Sequence, residues 1–274
     1  MQFRTCYCGS TDFTAQKRYS RYQNFDTSKR VIVQCTQCTI ITRSPSLFND
    51  ITINENVPPG LRELEDFVSG HAGGHNPVFN QRLAEAGAGK TNRKALDIGA
   101  GSGVFMQAAT NAGWEVHGVE LNTRNFNALV ERGFTSFNKE LEQLQLPAAS
   151  YSFIHINHVL EHVRDPLSLL LEAHRVLEKD GLLVIEVPNE FKTLSCYLKQ
   201  LLGRSNNSHT AYFEHEWFYH LGSMRKLITK TPFHIVRMRT LSRVKGWSPQ
   251  MLLHRLGHWL NQGDVIEVWL RKLQ

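Results

Sequence analysis

The sequence predicts an α/β protein with a doubly wound, seven-stranded and mostly parallel sheet, preceded by a small N-terminal zinc-ribbon-like module. Two observations support this fold class. From Lys94 onward, short apolar segments alternate with helical patterns, which is typical of a sheet covered by helices on both faces. Ahead of that region, four of the five cysteines fall within the first 38 residues as two close pairs.

Length and composition limit the classes of protein that the chain can form. The 274 residues suffice for one large α/β domain and a small appendage. The formal net charge is +6, but the basic residues are scattered, so nucleic-acid binding is compatible with the sequence and not indicated by it. The N-terminus lacks the apolar core of a signal peptide, and no segment has about 18 uninterrupted apolar residues. We therefore expect a cytoplasmic protein without a membrane span.

The N-terminal cysteines define the first predicted module, residues 1–48. Two close pairs of thiols across a short loop predict a zinc ribbon, in which one Zn²⁺ binds Cys6, Cys8, Cys35 and Cys38. In a reducing compartment such thiols favour a metal over disulfides. The second pair has the expected two-residue spacing, whereas the first has only one residue between its thiols. A degenerate ribbon that has lost its metal stays open as the alternative.

The remaining chain divides into a helical linker, residues 49–92, and a cofactor-binding domain, residues 93–274. An amphipathic helix over residues 78–89 leads to the first core strand. The predicted strands are 94–98, 115–121, 135–138, 152–157, 182–187, 234–241 and 264–272. A helix starts at Asp165 and Pro166 and runs to Leu177, since an acidic cap and a first-turn proline are start signals. A helical insertion, 246–262, separates the last two strands.

The most informative segment is residues 94–103, in which a carboxylate and three closely spaced glycines follow a short apolar run. The glycines permit a tight turn and a close approach of the backbone to a nucleotide cofactor before a helix opens. Asp97 would repel a pyrophosphate, but it would attract the ammonium and sulfonium groups of S-adenosylmethionine. Val104 stands where a dinucleotide fingerprint has a small residue. We therefore predict that S-adenosylmethionine is bound by Asp97, Gly99, Ala100, Gly101 and Gly103.

A second acidic residue is expected about 20 residues further on, at the end of the next strand, to bind the ribose hydroxyls. Glu120 fills this position and precedes a helical pattern over residues 123–132. Leu121 lies beside it and is predicted to contact the cofactor too. A glycine-rich turn alone is common in doubly wound proteins. The cofactor prediction therefore depends on the two carboxylates, Asp97 before the turn and Glu120 after it.

Two other motifs suggest different chemistry and do not fit their context. Residues 87–92 contain a Gly-Lys-Thr fragment, but a phosphate loop needs glycine at the position of Ala84 and a preceding strand instead of a helix. Residues 158–162 match the zinc motif of inverted zinc proteases, yet they follow a strand directly and lack a helical scaffold. Because ligands bind outside the carboxyl ends of parallel strands, we expect residues 157–162 to face the cofactor and substrate.

The chain resembles class I S-adenosylmethionine-dependent methyltransferases in four elements that occur in order, LDIGAGSG, Glu120, HINHVLEHVRDP and GLLVIEVPN. The resemblance covers residues 75–274. It implies a seven-stranded sheet whose last strand is antiparallel and lies between the fifth and the sixth. It also implies that the glycine turn and Asp97 hold the methionine part of the cofactor and that Glu120 holds the ribose.

The same resemblance assigns the rest of the cofactor site. Glu140 and Leu141 match the position that reads the adenine. Asn157 and His158, at the end of the fourth strand of the domain, would complete the cofactor wall. These roles follow from the resemblance and not from the spacing of the residues.

A narrower resemblance is to methyltransferases that carry an N-terminal zinc-binding module, among them sugar C-methyltransferases of deoxysugar pathways. In those enzymes a Tyr-x-Glu-His element after the fifth strand faces the substrate and supplies the general base. Tyr212, Glu214 and His215 match that element, and His162 matches a second active-site histidine. The resemblance implies that His215 is the base, that Glu214 orients it, and that Tyr212 and His162 line the acceptor pocket. Those enzymes also have a large C-terminal domain, so the substrate does not carry over.

Methyl transfer is an in-line displacement, so the protein must align the acceptor and remove its proton when the acceptor is a hydroxyl or an acidic carbon. Histidine suits this role, because its ordinary pKa lies near neutrality. We expect a methyltransferase acting on oxygen or carbon of a small metabolite, such as a sugar or a polyketide. Two alternatives stay open: a methyltransferase of RNA or protein that grips its substrate with the zinc module, and a cofactor-binding protein without catalysis.

Overall fold

The structure is a computed structural model that describes residues 5–15, 31–44, 76–189, 215–241 and 262–273. Its strands, in chain order, are β1 (Phe13–Ala15), β2 (Val31–Cys35), β3 (Ile41–Ser44), β4 (Lys94–Ile98), β5 (Glu115–Val119), β6 (Thr135–Phe137), β7 (Tyr151–Asn157), β8 (Leu177–Pro188), β9 (Trp217–Phe218), β10 (His234–Leu241) and β11 (Val265–Arg271). Its helices are α1 (Pro77–Gly87), α2 (Val104–Asn111), α3 (Thr123–Glu131), α4 (Pro166–Val176) and α5 (Leu221–Ile228), with a 3₁₀ turn at Leu141–Gln143.

The larger sheet has seven strands in the order β10-β11-β8-β7-β4-β5-β6. The five strands from β8 to β6 in that order are parallel, and β11 is antiparallel to both of its neighbours. This confirms the predicted doubly wound sheet and its antiparallel last strand. Because the parallel strands share one direction, their carboxyl ends meet at one edge of the sheet, which we call the carboxyl edge. There β4, β5 and β7 end at Ile98, Val119 and Asn157.

Apolar side chains cover both faces of this sheet. Leu83 of α1 and Phe105 of α2 belong to the cluster on one face. Leu170 of α4 and Met224 of α5 belong to the cluster on the other face. Because both sides are covered, the central strand β7 is buried at its first six residues and does not alternate. A polar group inside this sheet, such as His155 in β7, therefore needs a hydrogen-bond partner within the protein.

The smaller sheet joins the cysteine region to the large domain. Its strands β1, β2 and β3 are antiparallel neighbours, and β9 pairs with β3. In that last pair Ile41 lies opposite Phe218, and Thr42 lies opposite Trp217. The buried cysteines belong to the same apolar cluster as one face of the seven-stranded sheet. The predicted boundary at residue 48 falls outside the described ranges.

Two predicted segments differ from the structure or lie outside it. The predicted strand 182–187 begins earlier, at Leu177, directly after α4 ends. Asp180 has a φ of 58°, and the register against β7 shifts between Tyr151 and Phe153. The strand therefore starts five residues before the predicted range and is irregular in its first part. The predicted helical insertion 246–262 lies outside the described residues except for its last one.

The start of α4 offers a test of the local energetics. The Asp165 carboxylate accepts hydrogen bonds from the N–H groups of Leu167 at 3.0 Å and Ser168 at 3.1 Å. Asp165→Ala should lower the free energy of unfolding by about 1 kcal/mol, because both donors lose their acceptor. Asp165→Asn is the control, since its amide oxygen can keep the cap. Denaturant unfolding measures both variants, and an unchanged stability of the alanine variant would contradict this cap.

Candidate functional site

The predicted glycine turn joins β4 to α2 at the carboxyl edge. Gly99 and Gly101 have φ values of 75° and 53°, in the left-handed region. A Cβ at Gly99 would overlap the Val159 side chain, so glycine is required for the turn after β7 to approach. A Cβ at Gly101 would meet none of the described atoms within 4 Å. The backbone at Gly101 thus borders an open space, as close approach of a cofactor requires.

Glu120 closes the turn from the end of β5. Its Oε2 accepts a hydrogen bond from the Gly101 N–H at 2.7 Å, and its Oε1 accepts one from the Asn122 N–H at 2.7 Å. Burial raises the pKa of Glu120, and these two hydrogen bonds oppose the rise. The main chain therefore holds the carboxylate in place. Each oxygen keeps a further lone pair, so the group can also accept hydrogen bonds from a diol.

Asp97 is buried near the carboxyl end of β4, and it contacts a residue that the sequence analysis did not select. Its Oδ1 lies 2.8 Å from Nδ1 of His155, which stands opposite Asp97 in the register of β4 and β7. Asp97 is 2% exposed and His155 is 1% exposed. The available sequence signal was a histidine in the middle of an apolar strand.

Further buried charges continue from His155 across the sheet. Arg82 of α1 donates hydrogen bonds to Glu186 of β8 and, at 3.1 Å, to Glu267 of β11. Its Nη1 also lies 3.1 Å from Nε2 of His155. We call Asp97, His155, Glu186 and Glu267 the polar row. Arg82 was not among the residues predicted from the sequence, because a single arginine in an amphipathic helix carries no sign of its burial.

The turn after β7 contains two predicted cofactor residues. Asn157 ends the strand and is half-buried. His158 has a φ of 54°, which is uncommon for a residue with a side chain. Its N–H donates to the Glu186 carbonyl at 2.8 Å, and its Nδ1 lies 3.3 Å from Glu161 Oε1. The strained backbone therefore holds a half-exposed imidazole at the carboxyl edge.

The predicted adenine-reading pair begins the 3₁₀ turn after β6. Leu141 is 1% exposed and packs in the apolar core, whereas Glu140 is exposed. Because the Leu141 side chain is buried in the core, only the main chain of Leu141 is available to contact an adenine. Leu121, two residues after the end of β5, is 39% exposed.

The two predicted active-site histidines lie together. The rings of His162 and His215 have centroids 4.7 Å apart and meet edge to face at 80°. Glu161, His162 and His215 place their ligand atoms within 4.8 Å of one another, a set that could hold a divalent cation. Tyr212 and Glu214, the other predicted members of this part of the site, lie outside the described residues.

Main-chain hydrogen bonds explain how His215 reaches His162 from a distant part of the sequence. The N–H groups of Glu216 and Trp217 donate to the Glu161 carbonyl at 2.9 and 3.1 Å. The indole Nε1 of Trp217 donates to the Val163 carbonyl at 2.9 Å. The segment after His215 is thus anchored on the turn that carries His162.

The cysteine region supports the same segment from the other side. Thr42 donates its hydroxyl hydrogen to the Glu216 carbonyl at 2.7 Å. The Tyr7 ring packs edge-on against Trp217, with centroids 5.3 Å apart. Nε2 of His220 lies 3.0 Å from the Thr39 carbonyl. These contacts place the N-terminal module against the strand that follows His215.

Glu161 is the buried charge at the centre of this region. It is 1% exposed, and its Oε2 has no hydrogen-bond partner among the described residues. Burial by itself would raise the pKa of Glu161, but the nearby His158, His162 and His215 lower it overall. The site therefore favours an ionised carboxylate that faces imidazoles.

The four N-terminal cysteines form one cluster. The Sγ atoms of Cys6 and Cys38 are 3.4 Å apart and those of Cys8 and Cys35 are 3.6 Å apart. All four cysteines are free thiols, with Sγ atoms within 4.8 Å of one another. Sulfur atoms bound to one tetrahedral zinc at about 2.3 Å are separated by about 3.8 Å, so the cluster fits this metal. The one-residue spacing of the first pair does not prevent the convergence.

Within the described part of the chain, none of the helices has the length and apolar character that crossing a bilayer requires.

Comparison with protein families gives the class of protein. A family model described as a methyltransferase domain matches residues 75–238. This range is more than half of the chain and contains the glycine turn, Glu120 and the turn after β7. The chain belongs to this family, and its fold is that of the class I S-adenosylmethionine-dependent methyltransferases.

Individual relatives agree with that assignment. The ubiquinone biosynthesis O-methyltransferase of Haemophilus ducreyi is 28% identical over 139 residues, which cover 47% of this chain and 58% of that relative. The chain thus matches less than two thirds of the relative's length. An S-adenosylmethionine-dependent methyltransferase from Thermotoga maritima has a TM-score of 0.52 at 18% identity, covering 77% of this chain and 96% of its own. One from Archaeoglobus fulgidus has a TM-score of 0.50 at 17% identity, covering 72% and 94%. At these identities the structures share the fold.

Proposed function

We propose that the chain methylates an oxygen atom of a small-molecule acceptor, with His215 as the general base. One observation carries this proposal: His215 is buried against His162. His162 lies on the turn after β7, and Val159 of the same turn packs against Gly99 of the glycine turn. This arrangement supports a proton acceptor near the space proposed for the cofactor. The name of the Haemophilus ducreyi relative favours a hydroxyl as the methylated group, and it does not favour a sugar or a polyketide.

The residues of the carboxyl edge fit S-adenosylmethionine, which supplies an electrophilic methyl group on a sulfonium when bound. In this proposal Asp97 and the glycine turn hold the methionine part, and Glu120 accepts hydrogen bonds from the ribose hydroxyls. The open space at Gly101 and the fixed Glu120 carboxylate support this fit. The cofactor wall is completed by Leu121, Glu140, Leu141, Asn157 and His158.

The chain's own contribution to the reaction is alignment and proton removal. His215 takes the proton of the acceptor hydroxyl as the oxygen becomes the nucleophile. The ionised Glu161 lies within 4.8 Å of both histidines and favours the imidazolium that forms. His162 lines the acceptor space, and Tyr212 and Glu214 keep their proposed roles beside the base.

A second mechanism is favoured by Oε2 of Glu161, a buried oxygen that lacks a hydrogen-bond partner among the residues that the structure describes. A divalent cation bound by Glu161, His162 and His215 would have open coordination positions for the acceptor oxygen and would lower the pKa of its hydroxyl. His215 would then be a ligand instead of the base. The two mechanisms differ in whether turnover needs an added cation.

The cysteine cluster is proposed to hold a structural Zn²⁺. Its role would be to keep β3 in place against β9, directly after His215. The fit of the four sulfur atoms to a tetrahedral site supports this proposal. Because metal binding stabilises such small modules, loss of the ion should loosen the strand beside His215.

Cofactor binding provides the first test. Glu120→Leu should weaken binding of S-adenosylhomocysteine, measured by calorimetry, by about 10- to 100-fold, because hydrogen bonds to a charged group are lost. Glu115→Leu is the matched control, since that exposed carboxylate lies at the other end of β5. Wild-type protein that binds no S-adenosylhomocysteine, or equal affinities of the Glu120→Leu variant and the wild type, would contradict the proposed cofactor site.

The base is tested with His215→Phe and a panel of small hydroxylated acceptors, by following release of S-adenosylhomocysteine. Turnover should fall about 10²- to 10⁴-fold, because the general base is lost, while cofactor affinity stays the same. To test for a cation at Glu161, His162 and His215, wild-type protein is treated with a chelator and then given Mg²⁺ or Mn²⁺. Elemental analysis verifies that the treatment has left the metal at the cysteines in place. Activity that depends on the added cation would favour the second mechanism and oppose the first.

The metal is tested by elemental analysis of the purified chain, which should find one zinc per molecule. Cys8→Ser should lower this content and speed hydrogen exchange at the amide of Phe218, which lies opposite Ile41 of β3, because β3 loses its support. Cys196→Ser removes the fifth cysteine and is the control, with zinc content expected to stay at one. A wild type without metal whose β9 amides remain protected would argue for a metal-free ribbon.

A further inference from the structure

A buried guanidinium lies behind the proposed cofactor site. Arg82 is 1% exposed and projects from α1 onto the seven-stranded sheet, where it contacts His155, Glu186 and Glu267. None of these four residues belongs to the proposed cofactor contacts. His155 connects them to Asp97, which does.

The hydrogen-bonding capacities of the groups determine the state of His155. A guanidinium only donates, so Nε2 of His155, at 3.1 Å from Arg82, must be the accepting nitrogen. An imidazole that accepts at Nε2 is neutral and carries its proton on Nδ1. That Nδ1–H then donates to the Asp97 carboxylate at 2.8 Å.

The surroundings of His155 hold this arrangement. Phe105 stacks on the imidazole with centroids 4.0 Å apart and an angle of 13°, and Phe79 meets its edge at 5.2 Å. The ring is 1% exposed, so solvent cannot substitute freely for either partner. Burial lowers the pKa of His155; Asp97 and Glu186 oppose this effect and the Arg82 charge adds to it, and the net lowering agrees with a neutral ring.

Arg82 is itself held by two carboxylates. Glu186 and Glu267 stand directly opposite each other on β8 and β11, and both are buried. Like charges at such positions repel each other, so a cation between them is required. Arg82 supplies it, while Arg239 binds the other oxygen of Glu267 at 2.9 and 3.0 Å. The guanidinium is therefore fixed where it meets His155.

We propose that Arg82 is a positioning residue for the cofactor: it selects the His155 tautomer that donates to Asp97 and so orients this carboxylate toward the methionine ammonium. Within the described part of the chain, His155 is the one side chain that donates a hydrogen bond to Asp97. Without Arg82, His155 could place its proton on Nε2, and an unprotonated Nδ1 would then face the Asp97 carboxylate. This inference rests on the proposed function, because it assumes that Asp97 binds the cofactor.

The test compares two substitutions at His155. His155→Leu removes the donor, and we expect S-adenosylmethionine affinity to fall about tenfold or more. His155→Asn can place an amide N–H near the position of Nδ1, so its affinity should stay within about threefold of wild type. Asp97 would act equally on ground and transition states, so kcat at saturating cofactor should stay within about twofold while KM rises.

Arg82 is tested against a neighbour in the same charge network. Arg82→Met should weaken cofactor binding about as much as His155→Leu, and Arg82→Lys should restore part of the affinity. Arg239→Met is the matched control, because it removes a guanidinium from Glu267 without touching His155. It should lower stability and leave cofactor affinity unchanged.

Nitrogen-15 spectra of labelled histidine test the tautomer directly in the wild-type protein. We expect His155 to show a protonated Nδ1 and an unprotonated Nε2, and an Nε2–H tautomer would overturn the inference even if Arg82→Met fails to fold. Equal affinities of wild type, His155→Leu and His155→Asn would overturn it too. A wild type that binds no S-adenosylhomocysteine would instead refute the proposed function, so the two failures are distinguishable.

Discussion

The common direction of the five parallel strands is the constraint on which the site depends. Because β4, β5 and β7 all end at the carboxyl edge, residues from three separate parts of the sequence meet there. The glycine turn, Glu120 and the turn with His158 and His162 follow these three strand ends. The strands supply a rigid support, and the residues proposed for the chemistry lie in the short connections after them.

A sheet covered on both faces usually has an apolar interior, and the polar row departs from that rule. Burying charges is costly unless they are paired, and removal of one partner leaves the others without compensation. The polar row with Arg82 satisfies this requirement, since each carboxylate contacts a donor. Asp97 connects the polar row to the glycine turn. The proposed cofactor site is therefore a functional reason to keep buried charges where apolar residues would cost less desolvation free energy.

The cysteine region is not an independent appendage in this structure. Its strand β3 pairs with β9, which belongs to the segment that carries His215. Thr42 and Tyr7 also contact that segment directly. The proposed base and the proposed metal therefore lie beside the same small sheet. The large domain contributes the other half of the support, because the Glu161 carbonyl accepts two hydrogen bonds from the residues after His215.

Local patterns in the sequence determined much of this protein. Apolar spacing predicted the order of strands and helices, and the glycines predicted the turn after β4. The position of Glu120 after the next strand made it the predicted ribose-binding acid. The convergence of the four cysteines was predicted from their pairing. Only the tertiary structure decided that Arg82 reaches His155, that β3 joins β9, and that Glu161 faces His215. The physical reason is that these contacts join residues distant in the chain, and burial of a charge depends on how the elements pack rather than on the neighbours of that residue in the sequence.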